Sequence, residues 1–208
     1  MTEKPVRRSS VATGRGDDGT TGLLFGGKRV FKDDARTEAY GSIDEAVAAL
    51  GVARAELAMK SQDGTLPRAL EGLPDVILRV QRELFVAGAE LATTPAAVGR
   101  QRPGETRVTA EMVAGLDVLL DDMERRVTVP KEFVVPGETR LSADLEVART
   151  IVRRAERRAV SIRRAEPVAG DQLVPYLNRL ADLLWVLARA AEQAEARLSR
   201  PARSANGS

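Results

Sequence analysis

Five segments of this chain, each near 20 residues long, repeat apolar residues three and four positions apart. This spacing buries one side of an α-helix. The predicted helices cover about 42–60, 74–92, 109–127, 141–165 and 171–197, and the first and third begin with the capping residues Ser42 and Thr109. Most connections between them are short, and short connections join antiparallel neighbours. The sequence therefore predicts an all-α fold, a five-helix antiparallel bundle.

The two ends of the chain lack this periodicity. Residues 1–12 are mostly polar and basic, and residues 198–208 are mostly small and polar, so both are predicted to be disordered tails. Residues 13–197 form the predicted single helical domain, and its first part, residues 13–38, is rich in glycine.

The composition excludes several kinds of chemistry. The chain has no Cys and no His, so it has no disulfide, thiolate nucleophile, zinc site with Cys or His ligands, or Ser-His-Asp triad. The 32 basic and 30 acidic side chains leave a net charge of +2, and aromatic residues make up 3%, which does not favour nucleic-acid binding. No apolar run approaches a membrane span, and the N-terminus lacks a signal-peptide core. We expect a cytoplasmic protein with no membrane or nucleic-acid partner.

The predicted fourth helix is rich in arginine. Arg149, Arg153 and Arg157 are four residues apart and therefore rise along one side of the helix, at the flank of its apolar stripe. Guanidinium groups at such a packing border bind phosphate oxygens strongly in a partly desolvated cleft. The alternative is a solvated basic surface with Glu156 as an internal partner.

The segment 13–32, TGRGDDGTTGLLFGGKRVFK, combines glycines with threonine hydroxyls. Such a segment can turn several backbone N–H groups toward one anion. Gly22 to Lys28 has the glycine and lysine spacing of a P-loop, but Arg29 stands where Ser or Thr would bind Mg²⁺, so we reject that assignment. A flexible segment with turn glycines is the alternative. Together with the arginine helix, the segment favours a nucleoside triphosphate ligand.

Six motifs, taken in order, resemble those of the PduO-type ATP:cob(I)alamin adenosyltransferases. The resemblance covers roughly residues 13–193. The motifs are TGRGDDGTT at 13–21, KDD at 32–34, AYGSIDE at 39–45, FVVPG at 133–137, ARTIVRRAERR at 148–158 and YLNRLADLL at 176–184.

The resemblance implies a ferritin-like helical bundle that assembles as a homotrimer with active sites at the subunit interfaces. It implies transfer of the 5′-deoxyadenosyl group from Mg²⁺-bound ATP to the cobalt of cob(I)alamin, with triphosphate as the leaving group. Delivery of the product to an adenosylcobalamin-dependent mutase stays open. The alternative is a non-catalytic corrinoid-binding or assembly protein.

Residue by residue, the resemblance implies two sets of site residues. Asp44 is expected to pair with Arg149 across the subunit interface, and with Arg153 and Phe133 these form the catalytic set. Phe133 is expected to contact the lower corrin face, and a core aromatic near a turn is the alternative. Mg²⁺ is expected to be held mainly by the ATP phosphates. The expected ATP-binding residues are Thr13, Gly14, Arg15, Gly16, Thr21, Gly22, Lys32, Arg153, Arg154, Glu156, Arg157 and Asn178.

Three positions depart from the family pattern. Glu138 follows Gly137 where many relatives have a second glycine, which leaves the shape of the loop after Phe133 open. Glu146 stands where relatives often have His, so no role of that His transfers. Asp18 replaces a common Lys and would weaken triphosphate binding unless it faces Mg²⁺ or solvent.

Overall fold

The structure is a computed structural model that describes residues 10–166 and 170–203. Its α-helices confirm the predicted bundle. The described residues contain five of them: α1 Ala35–Gln62, α2 Leu73–Leu91, α3 Ala110–Arg126, α4 Arg140–Ala165 and α5 Leu173–Ala194.

Two short antiparallel strand pairs lie outside the bundle. Thr20–Thr21 (β1) pairs with Val30–Phe31 (β2), which makes the glycine-rich segment a hairpin. Val134–Val135 (β3) pairs with Arg200–Pro201 (β4). Arg200 and Pro201, which belong to the predicted C-terminal tail, thus pair with a distant segment of the chain. The predicted N-terminal tail lies outside the described residues as far as residue 9.

Helix packing places α4 between α1 and α5, while α2 packs on α1 and α3 packs on α5. The core is formed by the apolar stripes, and side chains such as Leu50, Leu84, Leu145 and Leu177 are fully buried. Burial of this apolar surface is the main driving force for assembling the helices. In the described part of the chain, no helix is long and apolar enough to cross a membrane.

The start of α1 differs from the prediction. Asp34 is the N-cap, and its side chain accepts a hydrogen bond from the Arg36 amide at 2.9 Å. Ser42 lies inside the helix, where its hydroxyl donates to the Glu38 carbonyl at 2.9 Å. The prediction of a cap at Ser42 is therefore wrong. Thr109 is confirmed as the N-cap of α3.

Glu90 joins α2 to the segment that follows it. One of its carboxylate oxygens accepts the Val108 amide at 2.7 Å, and its side chain is almost fully buried. Burial raises the pKa of Glu90, although the Val108 hydrogen bond and Arg107 oppose the shift. Folding thus favours the protonated carboxyl group.

We expect Glu90→Gln to be relatively more stable at neutral than at acidic pH. Because folding raises the pKa of Glu90, the protein is stabilised at pH values below the unfolded pKa of 4.5. This stability is lost as the pH rises through the folded pKa. The neutral amide avoids this loss, so the free energy of unfolding of the variant minus that of wild type should increase with pH. Urea titrations at several pH values measure the difference. A constant difference would show that Glu90 is not desolvated.

Candidate functional site

Consecutive arginines of α4 face different neighbours. Arg154 forms an ion pair with Glu45 of α1, and Arg158 lies 3.7 Å from a carboxylate oxygen of Glu38. Arg153 and Arg157 lie one turn apart on the side toward α5. Within residues 10–166 and 170–203, neither of these two guanidinium groups has an ion-pair partner. The α5 side of the helix is therefore the side with uncompensated positive charge.

An open cavity of about 300 Å³ lies on this side. The Asn178 amide donates weakly to Glu156 at 3.4 Å, and Arg179 donates to the Asn178 side-chain oxygen at 3.2 Å. Four of the predicted ATP-binding residues come together here, whereas Arg154 faces α1. The cavity is lined by Arg153, Glu156, Arg157, Val160 and Asn178.

The glycine-rich hairpin brings a second group of predicted residues together. Gly14 and Gly19 have φ angles of 71° and 79°, a backbone conformation that glycine adopts without strain. The side chain of Lys32 lies over Gly16, and a Cβ atom built on Gly16 would be 3.1 Å from the Lys32 amine. Glycine at position 16 therefore allows an ammonium group to approach the loop backbone closely.

The hairpin is attached to the end of α2. The Leu24 amide donates to the Ala92 carbonyl at 3.0 Å. Arg100 donates to the Phe25 carbonyl at 2.8 Å, and its guanidinium lies 4.8 Å from the centre of the Phe25 ring. The lining of the arginine cavity comes from α4 and α5, with no described residue of the hairpin. The two groups of predicted ATP-binding residues are thus separate within one chain.

The predicted partners Asp44 and Arg149 are also separate within one chain. Asp44 is exposed and lines a shallow cavity of about 190 Å³, to which Tyr40 and Phe85 also contribute. Arg149 instead donates from Nε to Glu146 Oε2 at 2.6 Å. The described contacts of one chain do not include a pair between Asp44 and Arg149.

Phe133 is 90% exposed. It precedes β3, and its carbonyl accepts the Ala202 amide at 2.8 Å. It lines a cavity of about 480 Å³ together with Trp185 of α5 and residues of the C-terminal segment. The alternative of a core aromatic is therefore wrong, because the side chain packs against little of this chain. Trp185 was not predicted as a site residue, and its only signal is that it is the one Trp of the chain.

A buried charge network lies between α4 and α5. Arg189 is fully buried, and its Nη2 atom is 3.3 Å from Glu146 Oε1 and 2.9 Å from Glu192 Oε1. The Ser199 hydroxyl donates to the other oxygen of Glu192. Glu146 thus binds Arg189 with one oxygen and Arg149 with the other. This network was not predicted, although an arginine and a glutamate inside an apolar stripe of α5 were the available signal.

The chain is similar in sequence to known proteins. The chain matches the family model for cobalamin adenosyltransferases over residues 11–191. It is 38% identical over 182 residues to a corrinoid adenosyltransferase of Citrobacter freundii, an alignment that covers 88% of this chain and 94% of that protein. It is 42% identical over 188 residues to a corrinoid adenosyltransferase of Mycobacterium tuberculosis, with 89% and 90% covered.

A similar solved structure is that of a variant PduO-type ATP:corrinoid adenosyltransferase from Lactobacillus reuteri complexed with cobalamin and ATP. Its TM-score is 0.79 at 29% identity, and the match covers 93% of this chain and 99% of that one. Sequence and fold therefore agree over nearly the whole length of the domain, and the chain belongs to the cobalamin adenosyltransferase family.

Proposed function

We propose that this protein transfers the 5′-deoxyadenosyl group of ATP to the cobalt of cob(I)alamin and releases triphosphate. Family membership supports the activity, and the solved relative from Lactobacillus reuteri is a complex with both substrates. The observation that carries the site is the pair of guanidinium groups of Arg153 and Arg157, which face one open cavity without an ion-pair partner among the described residues. We place the reaction in the cytoplasm, with an adenosylcobalamin-dependent mutase as a candidate recipient of the product.

The chemistry agrees with the residues that the chain has and lacks. The electron pair of Co(I) forms the bond to C5′ of the ribose, while the bond from C5′ to the triphosphate oxygen breaks and its electron pair leaves with that oxygen. No protein base takes part, which suits a chain without His or Cys. The protein has to align cobalt with C5′ and to neutralise the leaving triphosphate. Arg153 and Arg157 would supply that positive charge.

Mg²⁺ would enter with ATP. The described residues contain no group of three or more carboxylates that could hold a metal ion. Oxygen atoms of the triphosphate and water molecules would therefore supply most of the ligands of Mg²⁺. The hairpin residues near Gly16 and Lys32 would bind the same triphosphate through backbone N–H groups and the ammonium group.

We further propose a homotrimer in which the hairpin of one subunit meets the arginine cavity of the next. Each group of predicted ATP-binding residues is incomplete by itself, and the two are separate in one chain. An apolar side chain is also exposed beside Asp44, because Phe85 lines the same cavity and is 62% exposed. A cross-subunit ion pair with Arg149, which already binds Glu146, would give Asp44 a partner in such an interface.

Asp44→Asn should weaken the trimer and lower turnover. Once the interface buries both groups, removal of the Asp44 charge takes one of two carboxylate partners from Arg149, which keeps Glu146, at a cost of about 1.5–3 kcal/mol. Light scattering at micromolar concentration and an activity assay measure the two effects. Asp63→Asn, at the exposed end of α1, is the matched control and should change neither. A monomeric wild-type protein would contradict the shared site.

Phe133→Ala should lower turnover that starts from cob(II)alamin by roughly tenfold to a hundredfold, because an aromatic side chain buried only against the corrin contributes about 1.5–3 kcal/mol. The proposed role is to remove the lower ligand so that Co(II) can be reduced. Turnover from pre-reduced cob(I)alamin should fall less, and ATP affinity should hardly change.

The melting temperature should not change, because Phe133 is exposed and an exposed side chain contributes little to folding. Val135→Ala in β3, two residues after Phe133, controls for a disturbed β3–β4 pair. Equal losses from both cobalt oxidation states would contradict the lower-face role of Phe133.

The direct test of the activity is incubation of the protein with ATP and chemically reduced cobalamin. Formation of adenosylcobalamin is followed by its absorption spectrum, and reactions without ATP or without protein are the controls. Binding of both substrates without product would favour the alternative, a non-catalytic corrinoid-binding protein.

A further inference from the structure

Asp18, the residue that replaces a common Lys, is bonded inside the hairpin. Its Oδ1 atom accepts hydrogen bonds from the Thr20 amide at 2.9 Å and from the Thr20 hydroxyl at 2.8 Å. These two hydrogen bonds lower the pKa of Asp18, so the group is a carboxylate at neutral pH. The side chain thus closes a turn at the start of β1.

Arg29, which directly precedes β2, reaches across the hairpin toward β1. Its Nε atom donates to the Thr20 hydroxyl oxygen at 2.7 Å, and its Nη2 atom donates to the carbonyls of Arg15 and Thr20, each at 2.8 Å. The Thr20 hydroxyl therefore donates to Asp18 while it accepts from Arg29. These three side chains form one continuous chain of hydrogen bonds.

The bond to Arg15 fixes a peptide that the proposed site uses. In a trans peptide the C=O and the following N–H point in opposite directions. Since the Arg15 carbonyl is held by Arg29, the N–H group of Gly16 points to the opposite side. Gly16 is also the residue over which the Lys32 side chain lies. The network therefore orients a backbone donor next to an ammonium group.

We propose that Asp18, Thr20 and Arg29 form a positioning network that holds the glycine-rich hairpin ready for the triphosphate, and that Asp18 binds neither phosphate nor Mg²⁺. The inference rests on the proposed role of the hairpin in ATP binding. Preorganisation of this kind increases affinity, because the loop loses less conformational freedom when the ligand binds.

The sign of one effect separates this role from a direct one. Asp18→Ala should weaken ATP binding by about three- to tenfold, since it removes the acceptor for Thr20. A carboxylate that faced the triphosphate would repel it, so the same change would then strengthen binding. Asp18→Asn keeps an acceptor at the same place and should retain most of the wild-type affinity. If both variants bound ATP much more weakly and the loss of affinity depended on the Mg²⁺ concentration, Asp18 would be a metal ligand. That result would overturn the proposal.

Thr20→Val and Arg29→Lys test the rest of the network. Thr20→Val should weaken ATP binding about as much as Asp18→Ala, and the double variant should lose little more, because both changes break the same chain of bonds. Arg29→Lys retains the charge but not the three hydrogen bonds, so the KM for ATP should rise while kcat at saturating ATP is retained. A fall in kcat, or additive losses in the double variant, would overturn the network.

Lys32→Ala and Arg153→Ala distinguish failure of this inference from failure of the proposed site. All affinities are measured by isothermal titration calorimetry on the full-length protein with Mg-ATP. If Lys32→Ala weakens binding but the three network changes do not, the hairpin binds ATP and the positioning role is wrong. If Arg153→Ala weakens binding but no hairpin variant does, the hairpin does not bind ATP and that part of the proposed function is wrong.

Discussion

Replacement of Arg153 by Ala is expected to lower kcat/KM by about 10² to 10³, because one charge-assisted contact to the leaving triphosphate is worth roughly 2.7–4 kcal/mol. The fold should not change. Arg153 is exposed in the cavity and has no carboxylate partner among the described residues, so its removal leaves no buried charge behind.

Steady-state kinetics with varied ATP, together with calorimetry of ATP binding, measure this effect. Arg164→Ala is the matched control, because Arg164 is an exposed arginine near the end of the same helix. It should leave turnover within about twofold of wild type, as expected for a surface change. If Arg153→Ala also stayed within a few-fold in both turnover and affinity, Arg153 would be a surface residue without a role in the reaction.

Replacement of Arg189 by Met is expected to lower the free energy of unfolding by about 3–5 kcal/mol, because it leaves buried carboxylates without their counter-charge. Glu192 is fully buried and would lose its ion-pair partner, and Glu146 would retain only Arg149. Methionine fills much of the volume of the arginine stem, so the loss reports mainly on charge.

Urea unfolding at a fixed protein concentration measures the loss, since an oligomer is stabilised by mass action. Arg125→Met is the control, because Arg125 and Asp121 form an exposed ion pair on α3, and such pairs contribute about 0–1 kcal/mol. Adding Glu192→Gln to Arg189→Met should recover part of the stability. Equal stability of wild type and Arg189→Met would show that the network contributes no net stabilisation.

The sequence predicted the features that depend on local pattern. Helical periodicity identified all five helices, and Thr109 marked the beginning of α3 because a cap acts within three residues. The beginning of α1 was missed because Asp34 and Ser42 are both suitable caps, and only packing decides that the earlier turns are helical.

Other features depend on residues far apart in the chain. The helical periodicity of α4 shows that Arg153 and Arg154 point to different sides of the helix. It does not show that Arg154 contacts α1 or that Arg153 faces α5. The buried state of Arg189 requires Glu146 from another helix, and β4 requires β3 as its partner. Neither distant partner is visible in a local window of sequence.

Glu146 binds both Arg149 and Arg189, and this limits which residues can replace it during evolution. Exchange of Glu146 for His would remove the carboxylate from Arg149 and Arg189 at once. An evolutionary path between the two forms therefore passes through a less stable intermediate unless neighbouring positions change with it. We expect position 146 to co-vary with positions 189 and 192 among relatives. A motif grafted from one member into another would have to carry these positions together.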